Sequence, residues 1–279
     1  MFNTFLLTLV RQTRKFLTTS KNVEIKEKGG FHLMQENNYY IPYPEGPRAG
    51  CKDIWNAYLL KNATFDEYDI PYCPTTATKI PNALISIQKA KMLYEEEMRK
   101  GNKNFKYNAF IHPYIDDQAF DGPRESFWLK PENLFKIASH FDGMITIDFS
   151  TNLDFPDPLK RINTYKMRTL GVGAGERGIP TINNVRWGEE ETWGYSFSGL
   201  PKNSIYAIGT VASGIRQQGY KKIFENGLLY MVDKLEPKTL IIVGSDKLPI
   251  FDDLRNKGIT IVSFKSDTAN FFERRSKNE

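Results

Sequence analysis

Downstream of Pro81 the chain alternates short apolar, β-branched runs with longer stretches of helical period. The runs at 83–87, 108–112, 144–149, 179–183, 204–209, 239–243 and 259–264 read as strands. Helical spacing falls between them, at 89–100, 131–141, 158–170, 220–235 and 251–256. Asp157-Pro158 looks like an N-cap followed by proline in the first turn, Gly171 like the stop of that helix, and Gly258 like the stop of the last one. Strand alternating with helix implies parallel pairing, because parallel strands need a crossover. Runs such as Met144–Ile147 and Thr239–Val243 are apolar almost throughout, as burial on both faces requires. With seven strands, and an eighth candidate at 68–72, the expected architecture is an α/β fold: a (β/α) barrel or an incomplete one with mostly parallel strands. An open doubly wound sheet is the alternative.

Before Pro81 the pattern lapses. Residues 39–81 are rich in Tyr and Pro and read as irregular, with one helical stretch around 53–60. The expected organisation is a basic amphipathic arm (1–30), one α/β domain (31–270, irregular to 81 and regular over 82–266) and a basic tail (271–279). Phe2, Phe5, Leu6, Leu9 and Val10 recur at helical spacing, which suggests a helix packed on the domain, with membrane-surface or partner docking as the sharper alternative. Positive charge follows this apolar run instead of preceding it, unlike a secretory signal. No stretch approaches the ~18 apolar residues of a membrane-spanning helix.

Charge changes the picture only once it is located. The chain carries 38 Lys+Arg against 33 Asp+Glu, a net +5. Residues 1–30 contribute +4 and residues 271–279 contribute +1, so the 240 residues between are neutral. A basic arm can hold phosphates through salt-sensitive contacts, but the domain has to bind any anion by local geometry. Cys51 and Cys73 are too few for a disulfide scaffold or a thiolate zinc site, which points to a reducing cytosol.

In either architecture chemistry belongs at the carboxyl ends of the strands. Asp116 and Asp117 follow the second strand and Asp148 closes the third. Converging, they could hold a divalent cation or divide acid and base roles, a reading that balances the structural one only for the set; singly, each is better explained as a loop cap. Arg168 and Arg186 are candidate anion partners, Trp187 a candidate wall, and Thr210 and Ser213 candidate donors beside a small-residue turn at 209–214, with Arg216 near. His112 also ends a strand, as a candidate base or ligand. The G-x-G-x-x-G string at 173–178 follows a helix and precedes a strand, the reverse of a dinucleotide site, and is rejected. Neither a zinc motif nor a G-x-S-x-G elbow occurs.

Between Tyr68 and Ser266 a series of short segments stands out: Tyr114-Ile115-Asp116-Asp117, Phe127-Trp128 with Pro131-Glu132, and Phe141-Asp142-Gly143 leading to Ile147-Asp148-Phe149-Ser150. Gly178-Ile179-Pro180-Thr181, Val185-Arg186-Trp187-Gly188, Gly199-Leu200-Pro201 and Leu235-Glu236-Pro237 follow in order. Through these segments the chain resembles a domain-of-unknown-function family of phages, plasmids and conjugative elements of Gram-positive bacteria. The resemblance implies a cytosolic protein of a mobile element and carries no reaction with it. Two functions are therefore open. One is a hydrolase or transferase acting on a nucleotide-like or phosphate-containing small molecule, with or without a divalent cation. The other is a non-catalytic protein that binds a host protein or nucleic acid as a replication or anti-defence accessory.

Overall fold

The computed structural model describes residues 53–267, apart from 124, 125, 212, 214 and 216, together with Phe31–Leu33 and Tyr40–Pro42, which pair as a small antiparallel ribbon. The expectations for the amino-terminal helix, the basic tail, Cys51 and Arg216 fall outside the described residues.

Seven strands form one sheet: β1 (Leu84–Ser86), β2 (Tyr107–His112), β3 (Phe141–Ile145), β4 (Thr181–Asn184), β5 (Ile205–Gly209), β6 (Thr239–Val243) and β7 (Thr260–Phe264). Every pairing is parallel, and the spatial order equals the chain order. A doubly wound sheet reverses its order at a switch point, so this topology excludes that alternative. The sheet curls into an open half-barrel. The proposed eighth strand is only an isolated bridge between Phe65 and Pro71.

Crossovers that always step the same way keep the helices on one side of the sheet. They are α1 (Ile87–Arg99), α2 (Pro131–Ala138), α3 (Asp157–Glu176), α4 (Gln218–Leu235) and α5 (Pro249–Asn256). Strand alternation then gives each face its own core. Outward, Ile111 and Met144 pack with Leu134, Phe135 and Leu170 of α2 and α3, and Leu240 and Ile242 with Leu228, Met231 and Leu254 of α4 and α5. Inward, Phe110, Ile145, Ile182, Ala207, Ile241 and Val243 meet across the curl with Ala77. Thr76 and Ala77 donate backbone N–H bonds to Thr181 O at the amino end of β4, tying the incoming chain to that end.

Three local expectations are corrected. Gly171 does not end α3; the helix continues to Glu176, and Gly178 (φ +72°) follows its last turn. Gly171 is there for space, since a Cβ would lie 2.4 Å from Cys73 Sγ and 2.7 Å from Thr146 Cγ2. Asp157 makes no side-chain cap, because its carboxylate accepts the Tyr195 hydroxyl (2.7 Å). The helical stretch around 53–60 is the 3-10 turn Ala57–Leu60, whose Ala57 N–H donates to Asp53 Oδ1 (2.9 Å). Gly258 (φ +88°) does follow the last helix as anticipated.

Candidate functional site

β4 has short ladders on both sides. It pairs with β3 only at Met144/Thr181 and Ile145/Ile182, and with β5 only at Asn183/Tyr206 and Asn184/Ala207. Side chains take over where the ladder stops. The Asn184 N–H donates to Thr146 Oγ1 (2.8 Å), and its carbonyl accepts from Arg168 (3.3 Å). The Asn184 amide is wholly buried: Nδ2 donates to Asp148 Oδ1 (2.8 Å), and Oδ1 accepts the Tyr114 hydroxyl (2.9 Å). Burial, and after it the Asp148 charge, pushes the Tyr114 phenol well above its ordinary range, so it serves as a protonated donor. Arg186 completes the row, donating from Nη1 to Asp148 Oδ2 (2.9 Å) and from Nη2 to Asn152 Oδ1 (3.2 Å). The Asp148 carboxylate thus has one donor on each oxygen.

This row opens on a cavity of about 500 Å³ between the segments after β3, β4 and β5 and the first turns of α4. Its polar lining includes Asp148, Asn152, Asp154, Asn184, Arg186 and Ser213; Trp187, Tyr220 and Phe224 supply aromatic surface. Two glycines shape the wall. A Cβ on Gly209 would lie 2.6 Å from Tyr114 Cδ1, and one on Gly227 would lie 2.2 Å from the Trp187 indole. Trp187 is therefore laid against the bare backbone of α4, with Phe224 at 5.3 Å and Phe197 at 5.7 Å between ring centroids. The loop that carries Asn152 and Asp154 is held from behind. Buried Lys160 donates to Leu153 O (3.1 Å) and pairs with Glu189, and Asn163 donates to Ser150 O (2.6 Å).

The residues singled out from sequence are distributed unevenly around this cavity. Asp148, Arg186, Trp187 and Ser213 line it. Asp117 is half-buried behind Asp148, with Oδ2 accepting the Ser150 N–H (3.0 Å); burial raises its pKa, the Ser150 bonds oppose that, and the charge of Asp148 adds to it. Asp116 is exposed and turned into its own loop, accepting the Gln118 N–H (2.9 Å). Thr210 donates to Ser245 O (3.0 Å) and Ser213 to Thr210 O (2.9 Å). Arg168 is fully buried and gives its donors to the carbonyls of Ser198 (3.0 Å), Asn184 and Ser196 (2.8 Å), so it braces the end of β4 from the helix side. Among the described residues no group of three or more His, Cys, Asp and Glu is arranged to hold a metal ion. Sequence reasoning gave no role to Tyr114, Asn184 or Asn152, although Asn184 stood among the polar residues at strand ends; the available signal was the Asn183-Asn184 pair closing that strand.

Comparison with known proteins adds a family. The model of the family described as Domain of unknown function (DUF4417) matches residues 64–265. The Gene 1 protein of Mycobacterium phage L5 is 29% identical over 140 residues, which cover 50% of this chain and 58% of that protein. The Gene 1 protein of Mycobacterium phage D29 is 28% identical over 145 residues, covering 52% of this chain and 51% of that protein. The aligned part of the chain thus spans little more than half the length of these curated relatives. No solved structure matches the chain. No helix among the described residues is long and apolar enough to cross a membrane.

Proposed function

The chain belongs to the DUF4417 family, and from that premise we propose that it is a phage- or mobile-element-related hydrolase or transferase, working in the cytoplasm of a bacterial host on a nucleotide-like or phosphate-containing small molecule. The observation that carries this reading is the Asp148 carboxylate, fixed by Asn184 and Arg186 on the wall of a cavity with aromatic surface. Ligand pockets characteristically combine apolar walls with a few convergent polar groups, and ~300–1,000 Å³ suits a small molecule. Asp117 and Asp148 sit in unlike surroundings, one raised in pKa by burial and the other ion-paired, as an acid and base pair requires. The same two carboxylates are the oxygen donors the chain would offer a divalent cation.

The test is calorimetric titration of nucleoside mono-, di- and triphosphates, with product analysis in the presence and absence of Mg²⁺. Binding that is lost in Asp148→Asn and Arg186→Gln, with both variants folded, supports the site. Turnover in the wild type supports the reaction class. Failure of every nucleotide to bind would refute the reading, and capture of a host protein or nucleic acid by the same end of the sheet would favour the non-catalytic alternative.

A further inference from the structure

Resting on that reading, we infer that the recognised part of the ligand is a guanine-type edge: a ring N–H beside an exocyclic amine, next to a carbonyl. An ionised carboxylate only accepts hydrogen bonds and has about four lone-pair positions. Asn184 and Arg186 use one on each Asp148 oxygen, so each oxygen keeps acceptor capacity. Asp148 lines the cavity, and a ligand that meets both of its oxygens there must bring two adjacent donors. Guanine presents two adjacent donors, N1–H and the N2 amine, at the spacing of the two oxygens of a carboxylate. Adenine sets a lone pair at N1 beside its amine, and hypoxanthine lacks the second donor.

The flanking charge agrees. Arg186 stands immediately beside Asp148, where its guanidinium meets the O6 and N7 acceptors that arginine pairs with in guanine recognition. Trp187 and Tyr220 present ring surface to the base. Among the described lining residues the guanidinium is that of Arg186, already ion-paired to Asp148, which argues against a phosphate as its principal partner.

Pterins carry the same amine, ring N–H and carbonyl edge, so they belong in the experiment. The wild-type chain is titrated calorimetrically with GMP, IMP, AMP and neopterin. GMP or neopterin is expected to bind about tenfold or more tightly than IMP and AMP, because the absent amine leaves an acceptor of a buried carboxylate unfilled. Neopterin binding without GMP would assign the edge to a pterin, and the converse to a guanine nucleotide. IMP or AMP binding as tightly as GMP would overturn the inference while leaving the nucleotide reading standing. No binding by any of the four, or by the wider nucleotide series, would overturn both. Asp148→Asn provides the reciprocal arm: if it is folded by circular dichroism, the GMP preference over IMP should collapse, and its persistence would place recognition elsewhere.

Discussion

The two sides of β5 are built differently. Towards β6 and on to β7 the strands pair residue for residue over five positions, with the whole of β6 buried. Towards β4 and β3 the ladders last two residues, and polar side chains continue them: Thr146, Asn184, Arg168 and Asp148. The first arrangement satisfies the backbone with itself and leaves an apolar interior. The second spends side chains on the backbone and, in doing so, brings functional groups to a cavity. A strand that stops pairing early is thus the means by which a uniform parallel sheet brings polar side chains to a cavity.

Breaking the side-chain version should cost most at Arg168. Arg168→Met leaves three buried carbonyls without donors at ~1–3 kcal/mol each, so chemical denaturation should show a loss of about 4 kcal/mol or more. On the fully laddered side, Ile242→Ala should cost about 3 kcal/mol through lost burial and the residual cavity, with ligand affinity unchanged by titration.

The third effect concerns pH and the carboxyl end of β2, where His112 lies. Burial lowers the His112 pKa from 6.5 to about 4, with Asp267 acting to raise it and Lys89 to lower it. The folded state then binds this proton less readily than the unfolded one. Its stabilisation is complete above about pH 6.5 and is lost as pH falls towards 4, about 2 kcal/mol by pH 5. Stability measured over that range should lose part of its slope in His112→Gln. The smallest expected effect is at Thr146→Val, nearly isosteric, which removes the acceptor of the Asn184 N–H. Denaturation should register about 1–2 kcal/mol, and nucleotide affinity should fall with it as Asn184 loosens. Equal effects of Ile242→Ala and Thr146→Val on affinity would erase the distinction between the two sides.

Much of this was legible in the chain. β-branched runs buried on both faces locate β6 to the residue and the others within a few, because a parallel core leaves little else for such runs to do. Asp148 and Arg186 were legible for the same reason, as polar residues at the ends of apolar strands. The end of α3 was not, because a helical glycine needed for close packing on Cys73 carries the same letter as one that stops a helix. Nor was the separation of Arg168 from Arg186: both are single arginines beside apolar runs, and only the fold turns one towards carbonyls and the other towards the cavity. Tyr114 and Asn184 are 70 residues apart, meeting across β3, and a contact between alternate strands leaves no local pattern.

The central claim is that the interrupted pairing at β4 makes a ligand site centred on Asp148. Its most direct test is an experimental structure of the protein crystallised with GMP and, separately, with neopterin. Density for the ring of at least one is expected in the cavity, with its amine edge on the Asp148 carboxylate and Arg186 against its carbonyl. An empty cavity at saturating concentrations of both, or either one bound away from Asp148, would contradict it.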